Sequence, residues 1–238
     1  MRIIVKETAR EASKHIADAI IGTVKAKPDA VLGLATGSSP LEIYSMLKTD
    51  HQNRKTDYRK VRTFNLDEYL GMNPHDPHSY RHYMEKNLFN ALNIRDENTH
   101  LPDDAYKEDP AAYDERIEAE GGIDLQLLGI GLNGHIGFNE PGVKAGTLTH
   151  VTRLEESTRK ANARFFESPD EVPTHAITMG IQTILSSRRI FLIATGKKKA
   201  SIIRDVVDNG VNNAIPATFL KTHPDVSLIL DKDAASML

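Results

Sequence analysis

The 238-residue sequence contains no cysteine. That absence removes a disulfide framework, a thiolate nucleophile and any cysteine-ligated zinc at one stroke. Net charge is also scarce. Thirty Lys and Arg against 33 Asp and Glu leave a formal charge of −3 and a pI near 6.4. No global basic field draws in nucleic acid, so any anionic ligand must be held by a local site. Apolar runs are far too short to span a bilayer, and MRIIVKETAREASK turns charged too early for a secretory signal. The expected compartment is the cytoplasm. Missing too are a P-loop, a GxGxxG fingerprint, an HExxH helix and a Gly-x-Ser-x-Gly elbow, and the last omission argues against acyl-enzyme chemistry. No linker, repeat or composition break appears, so residues 1–238 read as one domain. What remains is 39% hydrophobic and 26% charged, enough for a sizeable soluble core.

Periodicity sorts that remainder into alternating elements. Arg2 to Lys6 reads as a strand and Thr8 to Lys25 as a helix. AVLGLATG is a buried strand, followed by a helix (LEIYSMLK) that Pro40 opens. VRTFNLDEYLG reads as one strand, SYRHYMEKNLFNAL as one amphipathic helix with Tyr80, Tyr83, Met84, Leu88 and Leu92 inward, and AAYDERIEAEGG as another helix. IDLQLLGIG and THVTRL are strands, ITMGIQTILSS is expected to be helical, and strand RRIFLIATG, helix KKKASIIRDVVDNG and strand VSLILD complete the order. Continuous apolar strands alternating with helices predict an α/β fold with a mostly parallel sheet covered on both faces. In such sheets ligands bind beyond the carboxyl ends of the strands.

Four polar clusters fall at those ends. ATGSSP, Ala35 to Pro40, offers hydroxyls and backbone N–H groups at a helix start, suited to an anion; it also reads as a plain N-cap in a flexible turn. TGKKKA, Thr195 to Ala200, sets three lysines at another helix start. They form either a solvated patch or, since like charges there oppose the dipole, half of an anion site. NLDEY, Asn65 to Tyr69, ends a strand with adjacent carboxylates. These are surface decoration unless they face a bound substrate, where a carboxylate on a rigid strand end can abstract a proton and two close acids raise each other's pKa. GLNGHIGFNEPG, Gly131 to Gly142, places His135 between Asn133 and Glu140 on a glycine-rich turn, the build of a proton shuttle. His75, His78 and His82 read as helix-face histidines and not as metal ligands. Phe89, Tyr80 and the pair Phe165–Phe166 read as core.

Taken in this order, LGLATGSSP, TFNLDEYLG, LLGIGLNGHIGFNEPG, ANARFF, AITMGIQTIL and ATGKKKA resemble the glucosamine-6-phosphate deaminase family along nearly the whole chain. The resemblance implies a modified Rossmann-like sheet of the sugar-phosphate isomerase and CoA-transferase kind. It implies conversion of glucosamine 6-phosphate and water to fructose 6-phosphate and ammonia, with no redox cofactor and no required metal. It makes Asp67 the base moving a proton between C2 and C1, and His135 the ring-opening group, oriented and tuned by Asn133 and Glu140. Thr36, Gly37, Ser38 and Ser39 match the phosphate loop, and Gly137, Arg164 and Lys199 match further substrate-binding positions. The implied partner is a small amino sugar phosphate, with no nucleic acid or membrane, on a monomer or small homo-oligomer. Many members carry aspartate where this chain has Asn133. A neutral amide can hydrogen-bond the imidazole without stabilising its cation, which bears on the pH optimum. Allosteric hexameric members have a longer C-terminus and basic activator ligands just after NEP. Here GVKAGTLTHVTRL offers His150 and Thr152, so activation by N-acetylglucosamine 6-phosphate is not expected. Residues 141–154, or a helix near Ala161, are expected to act as any lid. The rival 6-phosphogluconolactonases share a histidine loop but lack the FNEP continuation. A sugar-phosphate-sensing domain, the other rival, would normally adjoin a DNA-binding segment.

Overall fold

A computed structural model describes residues 1–54, 56–156, 159, 163, 166, 168 and 171–238. Its elements run β1 (Arg2–Lys6), α1 (Ala9–Ala26), β2 (Val31–Leu34), α2 (Leu41–Arg54), β3 (Arg62–Asn65), β4 (Asp67–Tyr69), α3 (Tyr80–Asn87), β5 (Thr99–His100), α4 (Ala111–Ala119), β6 (Leu125–Leu128), β7 (His150–Arg153), β8 (His175–Thr178), α5 (Ile181–Leu185), β9 (Ile190–Ala194), α6 (Ala200–Asp208) and β10 (Val226–Asp231). Among the described residues, seven strands form a wholly parallel sheet in the order β1-β10-β9-β6-β2-β3-β5.

The apolar runs are continuous because both faces of this sheet are covered. Along β9, Ile190, Leu192 and Ala194 join one core while Phe191 and Ile193 join the other. The first core carries Tyr113 and Ile117 of α4, Ile184 of α5 and Ile203 and Val206 of α6. The second carries Ile16 and Ile20 of α1, Ile43 and Leu47 of α2 and Met84 of α3. Helix α1 starts where Thr8 accepts from the Glu11 N–H, a side-chain N-cap at the boundary that the sequence pattern marks. No helix among the described residues is long and apolar enough to cross a membrane.

Three expectations need correction. VRTFNLDEYLG is not one strand. β3 ends after Asn65, the Leu66 N–H reaches the Leu34 carbonyl, and the Leu66 carbonyl accepts from Met179 N–H at 2.7 Å. The chain thereby leaves the large sheet, and β4 pairs antiparallel with β8 in a separate sheet ordered β4-β8-β7. ITMGIQTILSS is helical only from Ile181. Its beginning is β8, whose buried Ile177 and Thr178 are held between β4 and β7, a pleated setting that β-branched residues favour. The tight packing of Gly180 on the Thr147 and Leu148 carbonyls marks the change of element. SYRHYMEKNLFNAL breaks at Leu88 (φ −141°, ψ −61°) into a 3₁₀ turn, although Met84, Leu88 and Leu92 are buried as expected.

Candidate active site

The turns after β2, β6 and β9, together with the start of β4, open onto one cavity of about 700 Å³. The first turn is shaped by tyrosines. Tyr44 of α2 donates to the Ala35 carbonyl at 2.5 Å, and Tyr83 of α3 donates to the Gly37 carbonyl at 2.5 Å. Burial pushes both phenols up, so they stay donors at any physiological pH. Gly37 sits at φ +95°, a left-handed conformation that favours glycine. Thr36, Gly37, Ser38 and Ser39 all line the cavity.

After β9, Gly196 (φ +84°) donates its N–H to both Asp231 carboxylate oxygens at 3.0 Å. This bond fixes the turn that precedes α6. Of the three lysines, Lys197 and Lys198 are exposed while Lys199 is half-buried. Lys198 and Lys199 line the cavity. Lys199 Nζ donates to the Ile130 carbonyl at 2.5 Å, and burial lowers its pKa. A cation held in a partly desolvated wall gains from a bound anion.

The histidine loop folds back tightly. Gly131 N–H donates to the His135 carbonyl at 2.9 Å, and the imidazole lies against Gly131, where a Cβ would fall 2.2–2.4 Å from three ring atoms. Nδ1 of His135 stands 3.4 Å from Glu140 Oε2, which leaves Nε2 as the nitrogen free to serve the cavity that His135 lines. Asn133 does not take the expected place beside the ring. Its amide donates to Glu140 Oε2 at 2.7 Å, and its oxygen accepts from the His135 backbone N–H at 3.2 Å. Asn133 thus acts on the carboxylate behind the histidine, and neither it nor Glu140 lines the cavity.

Asp67 and Glu68 point apart, as successive strand residues must. Asp67 is 6% exposed and faces the cavity. Burial first, and the neighbouring Glu68 charge second, push its carboxyl up to about 8. The pairing of acids is therefore the lesser cause. Burial also raises Glu68, but backbone N–H bonds from Tyr80, Arg81 and Tyr69 oppose the shift. Gly137 (φ +57°) makes the approach of the two loops possible: a Cβ there would lie 2.9 Å from Thr178 Oγ1 and 3.5 Å from Asp67 Oδ2. Thr178, the register partner of Asp67, also accepts the Phe138 N–H.

An aromatic wall borders the cavity, its Tyr80 and Phe166 rings packing as expected on a buried cluster of Tyr69, Phe138 and Leu154 while also facing the cavity. His78 precedes α3 instead of lying on it. Its Nδ1 is 2.8 Å from Asp76 Oδ1, its ring stacks on Phe166 at 4.6 Å, and both rings line the cavity. Tyr80 lines it as well, its hydroxyl donating to that of Tyr69 at 3.3 Å. Only the run of aromatic and histidine residues around Asp-Pro-His-Ser-Tyr hinted at this wall. Arg164, Phe165 and Ala161 lie outside the described residues.

Comparison with known proteins agrees along the chain. The family described as glucosamine-6-phosphate isomerases/6-phosphogluconolactonase matches residues 5–228. A glucosamine-6-phosphate deaminase of Geobacillus sp. (strain WCH70) is 51% identical over 241 residues, covering 100% of this chain and 96% of the relative. The solved structure of a monomeric glucosamine-6-phosphate deaminase matches with TM-score 0.97 and 43% identity over the whole of both chains. A 6-phosphogluconolactonase of Trypanosoma brucei, 23% identical over 100% of this chain and 98% of its own, matches with TM-score 0.80 and shares the fold alone.

Proposed function

The chain belongs to the family of glucosamine-6-phosphate isomerases and 6-phosphogluconolactonases, and on that footing we infer that it is a glucosamine-6-phosphate deaminase, releasing fructose 6-phosphate and ammonia. The observation that carries this reading is the buried Asp67 carboxyl, opening onto the same cavity as His135 and the Thr36–Ser39 turn. A lactonase has no carbon-bound proton to move and would not need Asp67 for such a transfer.

The Thr36–Ser39 turn and Lys199 hold the phosphate, and Arg164 is a further substrate-binding residue on the strength of its ANARFF motif. Phosphate binding is remote from the reacting carbons, so its energy positions C1 and C2. His135 takes the O1 proton and delivers it to the ring oxygen as the C1–O5 bond breaks, giving the open aldehyde. Glu140 facing Nδ1 keeps Nε2 available for this exchange. Asp67 then removes the C2 proton and returns it to C1 while a proton passes from the C2 nitrogen to O1, so that the C1 aldehyde becomes an alcohol and the C2 amine an imine. Water adds at C2 and ammonia departs. Burial keeps a proton on Asp67 up to about pH 8, whereas a base must be ionised. The substrate's own ammonium at C2 supplies the opposite charge that draws the carboxyl back to its charged form. We further read the protein as a monomer or small homo-oligomer of hyperbolic kinetics.

Ammonia and fructose 6-phosphate measured on incubation with glucosamine 6-phosphate test the reading. Wild type should release both in equal amounts, and Asp67→Asn should lose about 10²–10⁴-fold in kcat, the range of positioned acid–base groups. A wild-type protein that binds the sugar phosphate yet releases no ammonia sinks the assignment.

A further inference from the structure

The carboxylate beside the proposed base does something the reaction scheme leaves unused. Glu68 is buried, and its two oxygens accept the backbone N–H groups of Tyr69 (2.8 Å), Tyr80 (3.0 Å) and Arg81 (2.8 Å). Tyr80 and Arg81 open α3, where N–H groups have no partner within the helix and the dipole welcomes a negative charge. Ser79 caps the same end through the His82 N–H. The start of α3 is thus fastened to β4 by the residue next to Asp67. Within one turn, Tyr83 reaches out of α3 to the Gly37 carbonyl. A peptide unit is planar, so holding that carbonyl also fixes the direction of the Ser38 N–H. Arg81 adds a third anchor, donating to Thr99 Oγ1 and to the Thr99 carbonyl on β5.

We propose that α3 is a strut between the two halves of the site, with Glu68 and Tyr83 as positioning residues that set the distance from the Asp67 carboxylate to the phosphate turn. This rests on the reading of the cavity given above. The phosphate and the proton in flight are separated by the length of the sugar chain. Binding at one end is useful at the other only if the protein between them does not yield, and a misplacement near 1 Å is costly.

The test uses inorganic phosphate as a competitive inhibitor alongside kcat and KM for glucosamine 6-phosphate. Tyr83→Phe should raise the Ki of inorganic phosphate about tenfold, the worth of one buried hydrogen bond, and kcat should fall with it. Glu68→Gln, whose hydrogen bonds reach α3 but not the turn, should also weaken phosphate inhibition, by about threefold or more, and the double variant should be less than the product of the two. Wild-type phosphate affinity in a folded Glu68→Gln, or two independent effects that simply multiply, overturns the strut. Should Glu68→Gln not fold, Tyr83→Phe decides alone. A raised Ki with unchanged kcat makes Tyr83 a local support of the turn and ends the proposal. A wild type that binds inorganic phosphate but releases no ammonia would instead refute the reaction, leaving the phosphate arm of the test intact.

Discussion

The two sheets are built on opposite principles. The parallel sheet is rich in Val, Ile and Leu: β2, β9 and β10 are buried at every position, and the polar side chains it presents to the cavity stand in the turns beyond its strands. The small sheet is short, antiparallel and partly exposed along β7. It nevertheless buries two acidic side chains in three residues of β4. The first arrangement stabilises, with burial of each large aliphatic side chain worth about 1.5–3 kcal/mol. The second costs stability, because a carboxyl kept from water prefers its proton. The chain therefore leaves the large sheet just where it buries the Asp67 carboxyl. Around the cavity, Thr36–Ser39, His135 and Lys199 stand in turns of the large sheet, and Asp67 stands on the small one.

Substitutions can break that contrast or sharpen it. The largest effect should come from Asp67→Asn, which loses activity as stated above and gains stability. An ordinary aspartate titrates near 3.9, whereas Asp67 titrates at about 8 when folded. Below pH 4 both states hold the proton and the site costs nothing. Between pH 4 and 8 the unfolded chain ionises while the folded one does not, so stability drains by up to ~1.4 kcal/mol per unit and the loss is complete above 8. Asparagine does not titrate, so thermal melts should show Asp67→Asn above wild type by roughly 5 °C or more at pH 8 and level with it at pH 4. Equal melting points at pH 8 would show that β4 carries no such penalty. For the same reason kcat/KM should rise with pH toward an apparent pKa near 8, and kcat, reporting the bound state, should rise at lower pH.

Next in size is Gly131→Ala. A methyl group 2.2–2.4 Å from the imidazole must push His135 off its seat, and kcat should fall about a hundredfold, the cost of roughly 1 Å of misplacement, with an unchanged circular dichroism spectrum. Leu192→Ala, in the middle of β9, should do the reverse: destabilise by about 2–5 kcal/mol in a urea titration while leaving kcat of the folded enzyme within about twofold, since Leu192 lies in the core and away from the cavity. A large kcat loss there would mean that the sheets are not separable in function. The smallest effect expected is none: initial rates against glucosamine 6-phosphate should be hyperbolic and indifferent to added N-acetylglucosamine 6-phosphate.

The parallel scaffold was legible because a strand buried on both faces writes itself as an unbroken apolar run, and because glycine and hydroxyl residues mark the turns where each run stops. The departure at Leu66 was not legible. Phe64, Leu66 and Tyr69 are all buried, so the pattern passes through the change of sheet without a mark, and the partner that captures β4 lies more than a hundred residues on. The same partner exchange disguised β8 as the start of a helix. In the site, Asp67, His135 and the Thr36–Ser39 turn stood out by residue type at strand ends. The target of Asn133 did not, since a sequence offers the amide both the imidazole and Glu140 and only the folded loop chooses between them. His78 was read as a helix-face residue because the turn that carries it ends one residue before α3 begins.

The strand order has a further consequence, for the making of the protein. β1 stands at the sheet edge with β10 as its neighbour, and Arg2 pairs with Asp225 across nearly the full length of the chain. Translation at about 5–20 residues per second leaves the first strand waiting roughly 10–45 s for its partner to emerge from the ribosome. The inner strands β2 and β3 can pair long before then, but the edge cannot. β1 is thus built into the sheet only once β10 is available, and until then the strand that carries Ile3 and Val5 has its backbone unpaired.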